Sequence, residues 1–324
     1  MAVRIKDLAE MTGLSTSTIS RVLSNHGYVS EQKRQLVEKA VMESGYVYKP
    51  AASRRNSIDI VMLIMGEISN EIYGENIKGI SSIFDALGIM YIGTYGDRYN
   101  AQKLESYMKR AIQNRFKGMI LFTPIETPSF IRIMQNCSIP CVALNRPVDA
   151  IEIDQVCMDN KEAGMLAVKY LVEKGHKRIA HVSTSGSTSG EYRQRGYIEG
   201  MKRAGLEVRD GDIIQSDNTF ESGVNAGSLI AVAKEDIDGI YVPNELVARG
   251  VIEGLRRCGK YVPEHVSIVA TDDTRMSIVS SPQLTTVTCN HYKMGAEAAR
   301  LFVERYQNPR GKKKQIYFKP SIIE

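Results

Sequence analysis

Three short segments at the start of the chain carry apolar residues about one helical turn apart, which predicts three amphipathic helices. The apolar sets are, in chain order, Ile5, Leu8 and Ala9; Ile19, Val22 and Leu23; and Leu36, Val37, Ala40 and Val41. Gly13 supplies a turn between the first two helices, and Ser15 and Ser30 can cap the second and third. Gly45 can end the third. The pattern predicts a helix-turn-helix module over residues 1–48.

From Ile58 onward, short apolar runs alternate with amphipathic segments, which is typical of a parallel sheet whose strands are connected by helices. The strand-like runs are 58–64, 89–92, 119–122, 141–144, 179–182, 239–242 and 267–270. The predicted fold class is therefore α/β, with an N-terminal all-α headpiece followed by two doubly wound parallel-sheet halves over residues 58–324. In such folds a ligand binds in a crevice at the carboxyl ends of the strands.

Positive charge is concentrated near the N-terminus of the chain. Residues 1–57 hold nine Lys or Arg and five Asp or Glu, so they carry four of the five net positive charges of the protein. A small basic segment of this kind suits a polyanion, although a solvated basic face gives the same count. Residues 49–57 form a short basic linker that contains Arg54 and Arg55.

The outer face of the second predicted helix suits the major groove of DNA. Its residues are mostly small and polar, namely Thr16, Ser17, Ser20 and Ser24 beside one long donor, Arg21. The guanidinium of Arg21 can donate two hydrogen bonds to one guanine, which reads a base. Contacts to phosphates, which position the protein without reading sequence, are expected from Lys6, Ser15, Thr18, Asn25, His26, Lys33 and Arg34. The alternative is a three-helix bundle with a basic surface and no DNA role.

These N-terminal residues closely resemble the headpiece of the LacI/GalR family of transcriptional regulators. The matching stretches are 5–9, 14–24 and 28–30, and further stretches at family-like spacing lie at 158–160, 175–180, 193–197, 243–245, 272–273 and 282–287. The resemblance therefore covers nearly the whole chain. It implies that Thr16, Ser17 and Arg21 contact bases. One departure is Arg4, which stands where the family usually caps the first helix with Thr or Ser.

The resemblance also implies a periplasmic-binding-protein-like core whose two subdomains hold a small effector between them. The subdomains are expected near 58–158 with 288–318, and near 159–287 with 319–324. The residues that match the effector site of the family are Asn145, Arg193, Asn244 and Asp272, with Tyr73 near the pocket mouth. Arginine, asparagine and aspartate suit a polyhydroxylated ligand, so the predicted effector is a sugar or a sugar derivative.

Some positions depart from the family pattern and leave the identity of the effector open. Asn145 replaces a frequent aspartate, and Glu245 replaces the usual aspartate after Asn244. The family proline after Asn70 is absent, which is expected to reshape the pocket mouth around Tyr73.

The linker also departs from the family pattern. No leucine lies between Pro50 and Ser57 to wedge into the minor groove, as the hinge leucine of the family does. Arg54 and Arg55 then either contact phosphates or a narrow minor groove, or belong to a flexible tether.

The resemblance and the physics of operators together predict a homodimer. One headpiece reads half of a site, so a two-fold symmetric protein is expected to bind a pseudo-palindromic double-stranded DNA operator. An effector in the crevice would move the subdomains, change the spacing of the headpieces and shift operator affinity. The predicted role is that of a repressor, and the effector is either an inducer that releases DNA or a corepressor that tightens binding.

Two other classes of protein and one other mode of control fit the sequence less well. An enzyme is disfavoured because the stretch Gly186–Gly190 lacks the Gly-Lys-Ser/Thr ending of a phosphate loop and the central serine of a nucleophile elbow. A transport solute-binding protein would not need residues 1–48. A protein corepressor, as in the catabolite-control branch of the family, would dock on 292–307, where Tyr292 and Arg300 are compatible but Glu304 opposes a phosphoprotein.

Composition narrows the setting of the protein. No run of about 18 apolar residues is present, and the N-terminus has charges where a signal peptide is apolar, so a cytoplasmic location and no membrane contact are expected. The five cysteines are scattered without neighbouring histidines, which predicts reduced thiols, no metal site and no cofactor.

Overall fold

The computed structural model describes residues 5–23, 29–44, 58–66, 71–96, 100–184, 186–234, 236–272 and 281–324. The chain divides into two compact units, residues 1–56 and 57–324. Each unit is built around its own apolar clusters.

The first unit contains helices α1 (Ile5–Thr12), α2 (Thr16–Leu23) and α3 (Glu31–Ser44). Gly13 has a φ of +68°, a left-handed conformation that glycine adopts without strain and that makes the turn between α1 and α2. Ser15 caps α2, because its Oγ accepts a 3.2 Å hydrogen bond from the backbone N–H of Thr18. The predicted helix-turn-helix arrangement is therefore present.

The core of this unit is made by the predicted apolar stripes with one correction. The side chains of Leu8, Ile19, Val22, Val37 and Ala40 are buried together. Leu36, which the pattern placed on the buried side of the third helix, is instead 47% exposed. The reason is geometric: neighbouring residues of a helix point about 100° apart, and α3 turns Val37 and Ala40 inward.

The second unit contains two six-stranded sheets. Sheet 1 has the strand order β11-β5-β4-β3-β1-β2, and all its neighbouring strands are parallel. Its strands are β1 (Ile58–Met65), β2 (Met90–Tyr95), β3 (Phe116–Leu121), β4 (Cys141–Asn145), β5 (Asp154–Met158) and β11 (Gln315–Phe318). Helices α4 (Glu71–Phe84), α5 (Ala101–Gln113) and α6 (Pro128–Gln135) connect β1 to β4.

Sheet 2 has the order β12-β10-β9-β8-β6-β7, with β12 antiparallel to β10 and the rest parallel. Its strands are β6 (Ile179–Thr184), β7 (Ile213–Ser216), β8 (Gly239–Val242), β9 (Ser267–Thr271), β10 (Thr285–Thr288) and β12 (Ser321–Ile323). The helices that flank these strands are α7 (Asn160–Glu173), α8 (Thr188–Arg203), α9 (Phe220–Ala233) and α10 (Glu245–Arg257).

The last helix ties the two sheets together. Helix α11 (His291–Gln307) follows β10 of sheet 2 but packs against α4 and against strands β3, β4 and β5 of sheet 1. The backbones of α4 and α11 touch: a Cβ added to Gly79 would lie 2.0 Å from the carbonyl oxygen of Tyr292, and one added to Gly295 would lie 2.0 Å from that of Asn76. Glycine at these two positions is what permits so close an approach.

The part of the chain that the structure describes contains no helix long and apolar enough to cross a membrane. Across the same residues, no cluster of three or more His, Cys, Asp or Glu side chains could hold a metal ion.

Candidate DNA-binding face and candidate effector site

The outer face of α2 carries the predicted base-reading side chains. Thr16, Ser17, Ser20 and Arg21 are all exposed. The hydroxyl of Ser15 lies 2.8 Å from that of Ser17 and 2.9 Å from that of Thr18, so these three side chains form one hydrogen-bonded cluster at the start of α2. Arg21 lies on the same helix and has a longer side chain than these three residues, so its guanidinium can donate hydrogen bonds farther from the helix axis.

The predicted phosphate-contacting residues fall into two groups. Lys6 on α1 and Lys33 on α3 are exposed, and Arg34 is half-buried. Asn25, His26, Arg54 and Arg55 lie outside the described residues, as does the whole linker 49–57, so their roles stay predictions.

Three of the predicted effector residues meet at the carboxyl edge of sheet 2. Val242 of β8 pairs with Ala270 of β9, so Asn244 and Asp272 leave neighbouring strands at the same level. Arg193 of α8 reaches the same edge, because its Nη1 donates a 2.6 Å hydrogen bond to the carbonyl oxygen of Pro243. The structure thus brings the predicted residues Arg193, Asn244 and Asp272 to the same edge of sheet 2.

The charges of Arg193 and Asp272 act on the same buried thiol. The pKa of Cys289 is raised to about 12, mainly by burial and also by the charge of Asp272, while the charge of Arg193 opposes the rise. The thiol therefore lies within electrostatic reach of both side chains.

Each of these three side chains is held by the protein. The Nε of Arg193 donates to Oδ1 of Asn160 at 2.9 Å, so two of its five N–H groups are used inside the protein. Asn244 caps α10, accepting a 2.9 Å bond from the N–H of Val247. Asp272 has a φ of +70°, and its carboxylate lies 3.8 Å from Nε2 of His291. The site is therefore oriented in advance.

Further side chains at this edge were not singled out from the sequence. Asn244 donates through Nδ2 to Oδ1 of Asn218 at 2.7 Å, and the hydroxyl of Thr184 donates to the same oxygen at 3.2 Å. Asn160 lies within one of the family-like stretches, which was the available signal for it. No sequence signal marks Asn218, because an isolated asparagine after a short strand looks like a turn residue.

On the side of sheet 1, Asn145 ends β4 with a φ of +69° and donates through Nδ2 to Oδ1 of Asn76 at 2.9 Å. Asn76 in turn donates to the backbone oxygen of His291 at 2.9 Å. His291 is the residue whose ring faces Asp272. Contacts through Asn76 and His291 therefore join Asn145 of sheet 1 to Asp272 of sheet 2.

Tyr73 packs against the end of sheet 1 and is 6% exposed. Its ring meets Phe122 edge-on at 5.2 Å between centroids, and its hydroxyl donates to Thr123 Oγ1 at 3.3 Å. Both partners directly follow β3. Tyr73 thus helps to pack the end of β3, and its proposed place at the pocket mouth stays a prediction.

Two hydrogen bonds connect α8 of sheet 2 with loops of sheet 1. The hydroxyl of Thr188 donates to Glu126 at 3.4 Å, and that of Tyr192 donates to Asp149 at 3.0 Å. Glu126 also accepts from the backbone N–H groups of Asp149 and Ala150. Separation of the two sheets at this point would break both contacts.

The stretch Gly186–Gly190 has a structural role. Ser187 caps α8, accepting a 3.4 Å hydrogen bond from the N–H of Gly190. The serine and glycine residues here begin a helix, which accounts for a pattern that superficially suggested a phosphate loop.

Comparison with known proteins agrees with this arrangement. Residues 4–48 match the model of the bacterial regulatory proteins of the lacI family, and residues 168–324 match a periplasmic binding protein-like domain. The chain is 30% identical over 330 residues to the HTH-type transcriptional regulator DegA of Bacillus subtilis (strain 168), which covers 100% of this chain and 97% of DegA. It is 30% identical over 311 residues to the HTH-type transcriptional repressor CytR of Escherichia coli (strain K12), covering 94% and 90%.

Solved structures show the same fold. A transcriptional regulator CelR–cellobiose complex is 25% identical with a TM-score of 0.76, covering 99% of this chain and 98% of that one. The Lac repressor dimer bound to operator and the anti-inducer ONPF is 22% identical with a TM-score of 0.73, covering 100% and 98%.

A helix-turn-helix unit followed by a two-sheet periplasmic-binding-protein-like unit defines a class of DNA-binding regulators of transcription. The chain belongs to the LacI family of bacterial regulatory proteins. It is a DNA-binding transcriptional regulator, and the predicted family and fold class are confirmed. The relatives named above are regulators of transcription and not enzymes.

Proposed function

We propose that this regulator is a homodimeric repressor whose affinity for a pseudo-palindromic operator is controlled by a sugar bound at the carboxyl edges of the two sheets. The convergence of Arg193, Asn244 and Asp272 at one edge of sheet 2 carries this proposal. Arginine and amide N–H groups donate to hydroxyl oxygens, and carboxylates accept from hydroxyl groups, so the set suits a polyhydroxylated ligand.

The names of relatives favour a sugar over other small ligands. One similar structure is a complex with cellobiose, and a LacI family regulator from Enterococcus faecium, with a TM-score of 0.69, was solved with bound ribose. The ribose operon repressor of Escherichia coli (strain K12) is 27% identical over 329 residues. These observations support a sugar as a class and leave the particular sugar to experiment.

The surface of sheet 1 supports the homodimer. Strand β2 lies at the edge of the sheet, where backbone groups are open to a partner. Three apolar side chains of this strand are exposed: Met90 is 66% exposed, and Ile92 and Tyr95 are exposed to 40% and 45%. Met90 and Ile92, two residues apart, lie on the same face of the strand, and Tyr95 lies on the other face. Exposed apolar side chains on an open edge strand suit an interaction surface, and a two-fold symmetric operator calls for a second copy of the same chain.

The mechanism we propose is a change in the separation of the two subdomains. The bonds of Thr188 and Tyr192 to the loops of sheet 1 hold the subdomains together on one side of the candidate site. A ligand that prefers one separation shifts the population toward it, and coupling of this kind is typically about 1–3 kcal/mol.

The first test is selection of binding sequences from a random double-stranded DNA library at a stated salt concentration, repeated with a panel of sugars. Enrichment of a palindrome that a sugar weakens or strengthens is the expected result. Salt-sensitive binding without enrichment would contradict sequence-specific recognition, because contacts to phosphates alone carry no base information. Enrichment of a palindrome whose binding no sugar changes would support the predicted operator and contradict a sugar as the effector.

Replacement of Arg21 by alanine should weaken binding to the selected operator by about 1–3 kcal/mol, or roughly 5- to 150-fold, because the bidentate contact to guanine is lost. Arg21 is exposed on α2, so the fold of the headpiece should persist. Fluorescence anisotropy with operator and random DNA at one salt concentration measures the effect.

Lys33→Ala is the matched control for Arg21→Ala. Lys33 is also exposed and cationic but is assigned to a phosphate, so its loss should lower the affinity for both DNAs alike and reduce the salt slope by about one. An equal loss on operator and random DNA in Arg21→Ala would remove Arg21 from the base-reading set.

Replacement of Asp272 by asparagine should leave operator binding unchanged and shift the response to the sugar to much higher sugar concentrations. Asparagine tolerates the left-handed backbone at this position, whereas alanine would add strain. Loss of the carboxylate removes charge-assisted hydrogen bonds of about 1.5–3 kcal/mol each, so we expect the sugar to bind roughly 10- to 150-fold more weakly. Isothermal titration measures the affinity.

Asp236→Asn controls for the loss of one negative charge, because Asp236 pairs with Arg178 on the surface. A normal sugar response in Asp272→Asn would place Asp272 outside the effector site. A reduced response in both variants would point to net charge instead of a direct contact.

A further inference from the structure

A chain of two asparagine amides lies behind the candidate effector site. Asn76 of α4 is fully buried, and its Nδ2 donates to the backbone oxygen of His291 at 2.9 Å. Asn145 at the end of β4 donates through its own Nδ2 to Oδ1 of Asn76, also at 2.9 Å. A fully buried polar side chain on a helix is an unusual choice for a core, so its two hydrogen bonds need a reason.

The direction of both amides follows from one backbone group. A carbonyl oxygen only accepts hydrogen bonds, so Asn76 must turn its amide nitrogen to His291 and its oxygen to Asn145. That oxygen also only accepts, so Asn145 must turn its nitrogen to Asn76. The remaining atom of the Asn145 amide is Oδ1, which is buried and has no hydrogen-bond partner among the residues that the structure describes.

The surroundings hold this arrangement in place. The backbones of α4 and α11 are in contact at Gly79 and Gly295, where a Cβ atom would clash with the facing backbone. The left-handed backbone conformation of Asn145 at the end of β4 sets the direction in which its side chain leaves the backbone. The amide chain therefore starts from a closely packed helix pair.

We propose that Asn76 is a positioning residue of the effector site: it fixes the Asn145 amide so that Oδ1 is offered as a hydrogen-bond acceptor and selects a ligand with a hydroxyl donor at that point. This inference rests on the proposed function, since it takes the sugar to bind between Asn145 and Asp272. Both of these ends then present oxygen acceptors to the ligand. A carboxylate or phosphate group at the same place would meet oxygen against oxygen and is excluded.

The amide chain is tested first in the protein without ligand. In protein labelled with nitrogen-15 asparagine, the side-chain amide signals of Asn145 are assigned with Asn145→Leu and then followed in Asn76→Leu. We expect exchange of the Asn145 amide protons with solvent to become at least about tenfold faster when their acceptor is lost. The side-chain amides of Asn114 and Asn136, which bond to carbonyls at the ends of α5 and α6, are internal controls and should not change.

An unchanged Asn145 signal in Asn76→Leu would overturn the proposal. Should Asn76→Leu fail to fold, as changes in the control amides would reveal, Asn76→Ala serves as the second variant, since it also removes the acceptor but needs less space. The same criterion applies to it.

Sugar binding then tests selection. The probes are ribose, cellobiose and the monodeoxy forms of each in turn. We expect Asn76→Leu to weaken the intact sugar about tenfold, while the deoxy form that lacks the hydroxyl at Asn145 binds wild type and variant equally. Equal weakening of intact and deoxy sugars would mean a merely structural role and would overturn the proposal. If neither ribose nor cellobiose binds, both are rejected as effectors, the same comparison is made with the sugar that the operator screen selects, and the amide signals still decide whether Asn76 orients Asn145.

Discussion

Replacing Arg305 by methionine should destabilise the second unit by about 3 kcal/mol. Arg305 of α11 is 5% exposed and pairs with Asp154 of β5, which is fully buried; the Nε–Oδ2 and Nη2–Oδ1 distances are 2.6 and 3.1 Å. Methionine fills the space but leaves a buried carboxylate without its main countercharge, a change that typically costs about 3–5 kcal/mol. Lys313 lies 3.7 Å from Asp154 and retains part of the charge balance, so the lower end of that range is expected.

Arg305 also organises the loop from α11 to β11. Its guanidinium donates to the backbone oxygens of Asn308, Gly311 and Lys312, which lead into β11. Asp154 accepts from the N–H of Lys314 as well, which starts the alignment of β11 with β5. The pair thus joins α11, β5 and β11, and removing its cation should loosen the edge of sheet 1.

Urea unfolding followed by circular dichroism measures the loss. Lys314→Ala is the matched control, because Lys314 lies at the end of the same loop and pairs with Glu304 of α11. Both side chains of this pair are about half exposed, and a surface pair contributes at most about 1 kcal/mol to stability. The double variant Asp154→Asn, Arg305→Met should recover much of the stability by removing the uncompensated charge. Equal midpoints for wild type and Arg305→Met would contradict a structural role for this pair.

The strand-like runs predicted from the sequence did not include β5, β7, β10, β11 and β12, and the same pair explains the omission of β5. Strand β5 begins with Asp154 and Gln155, both fully buried, so its hydrophobic run is only three residues long. Burial of these polar residues is possible because of partners more than 150 positions away, which no local pattern reveals. By contrast, β1 and β4 are nearly continuous apolar runs, since parallel strands are covered on both faces, and their positions could be predicted.

The candidate effector site was predictable to a similar extent. Arg193, Asn244 and Asp272 were predicted from a family resemblance that spans the chain, and the register of β8 and β9 brings two of them together. Asn76 and His291 were missed. Asn76 falls on the buried face of a helix where polarity looks like an error of the pattern, and His291 acts through a backbone oxygen, which any residue could supply.

Lowering the pH from about 6.5 toward 4 should destabilise the second unit through His181. This side chain is 1% exposed and lies between the rings of Tyr197 and Tyr241, at 5.2 and 4.9 Å between centroids. Its Nδ1 lies 3.1 Å from the backbone oxygen of Tyr241, which fixes the proton of the neutral ring on Nδ1. The pKa of His181 is lowered from 6.5 to about 4, mainly by burial, against the raising effect of the Tyr241 carbonyl and with a smaller lowering by the charge of Arg193.

The sign of the effect follows from proton counting. Between pH 6.5 and 4 the unfolded chain binds a proton at His181 and the folded chain does not, so the stability due to the neutral ring is complete above pH 6.5 and is lost as the pH falls through this window. The full loss is about 3 kcal/mol. Acidic residues with lowered pKa values, such as Glu253, add to acid destabilisation in any variant, so the wild-type profile alone does not isolate the histidine. His181→Phe keeps an aromatic ring between the two tyrosines but cannot titrate. Its unfolding free energy should therefore fall less steeply over this window than that of wild type, and two parallel profiles would show that His181 does not remain neutral in the fold.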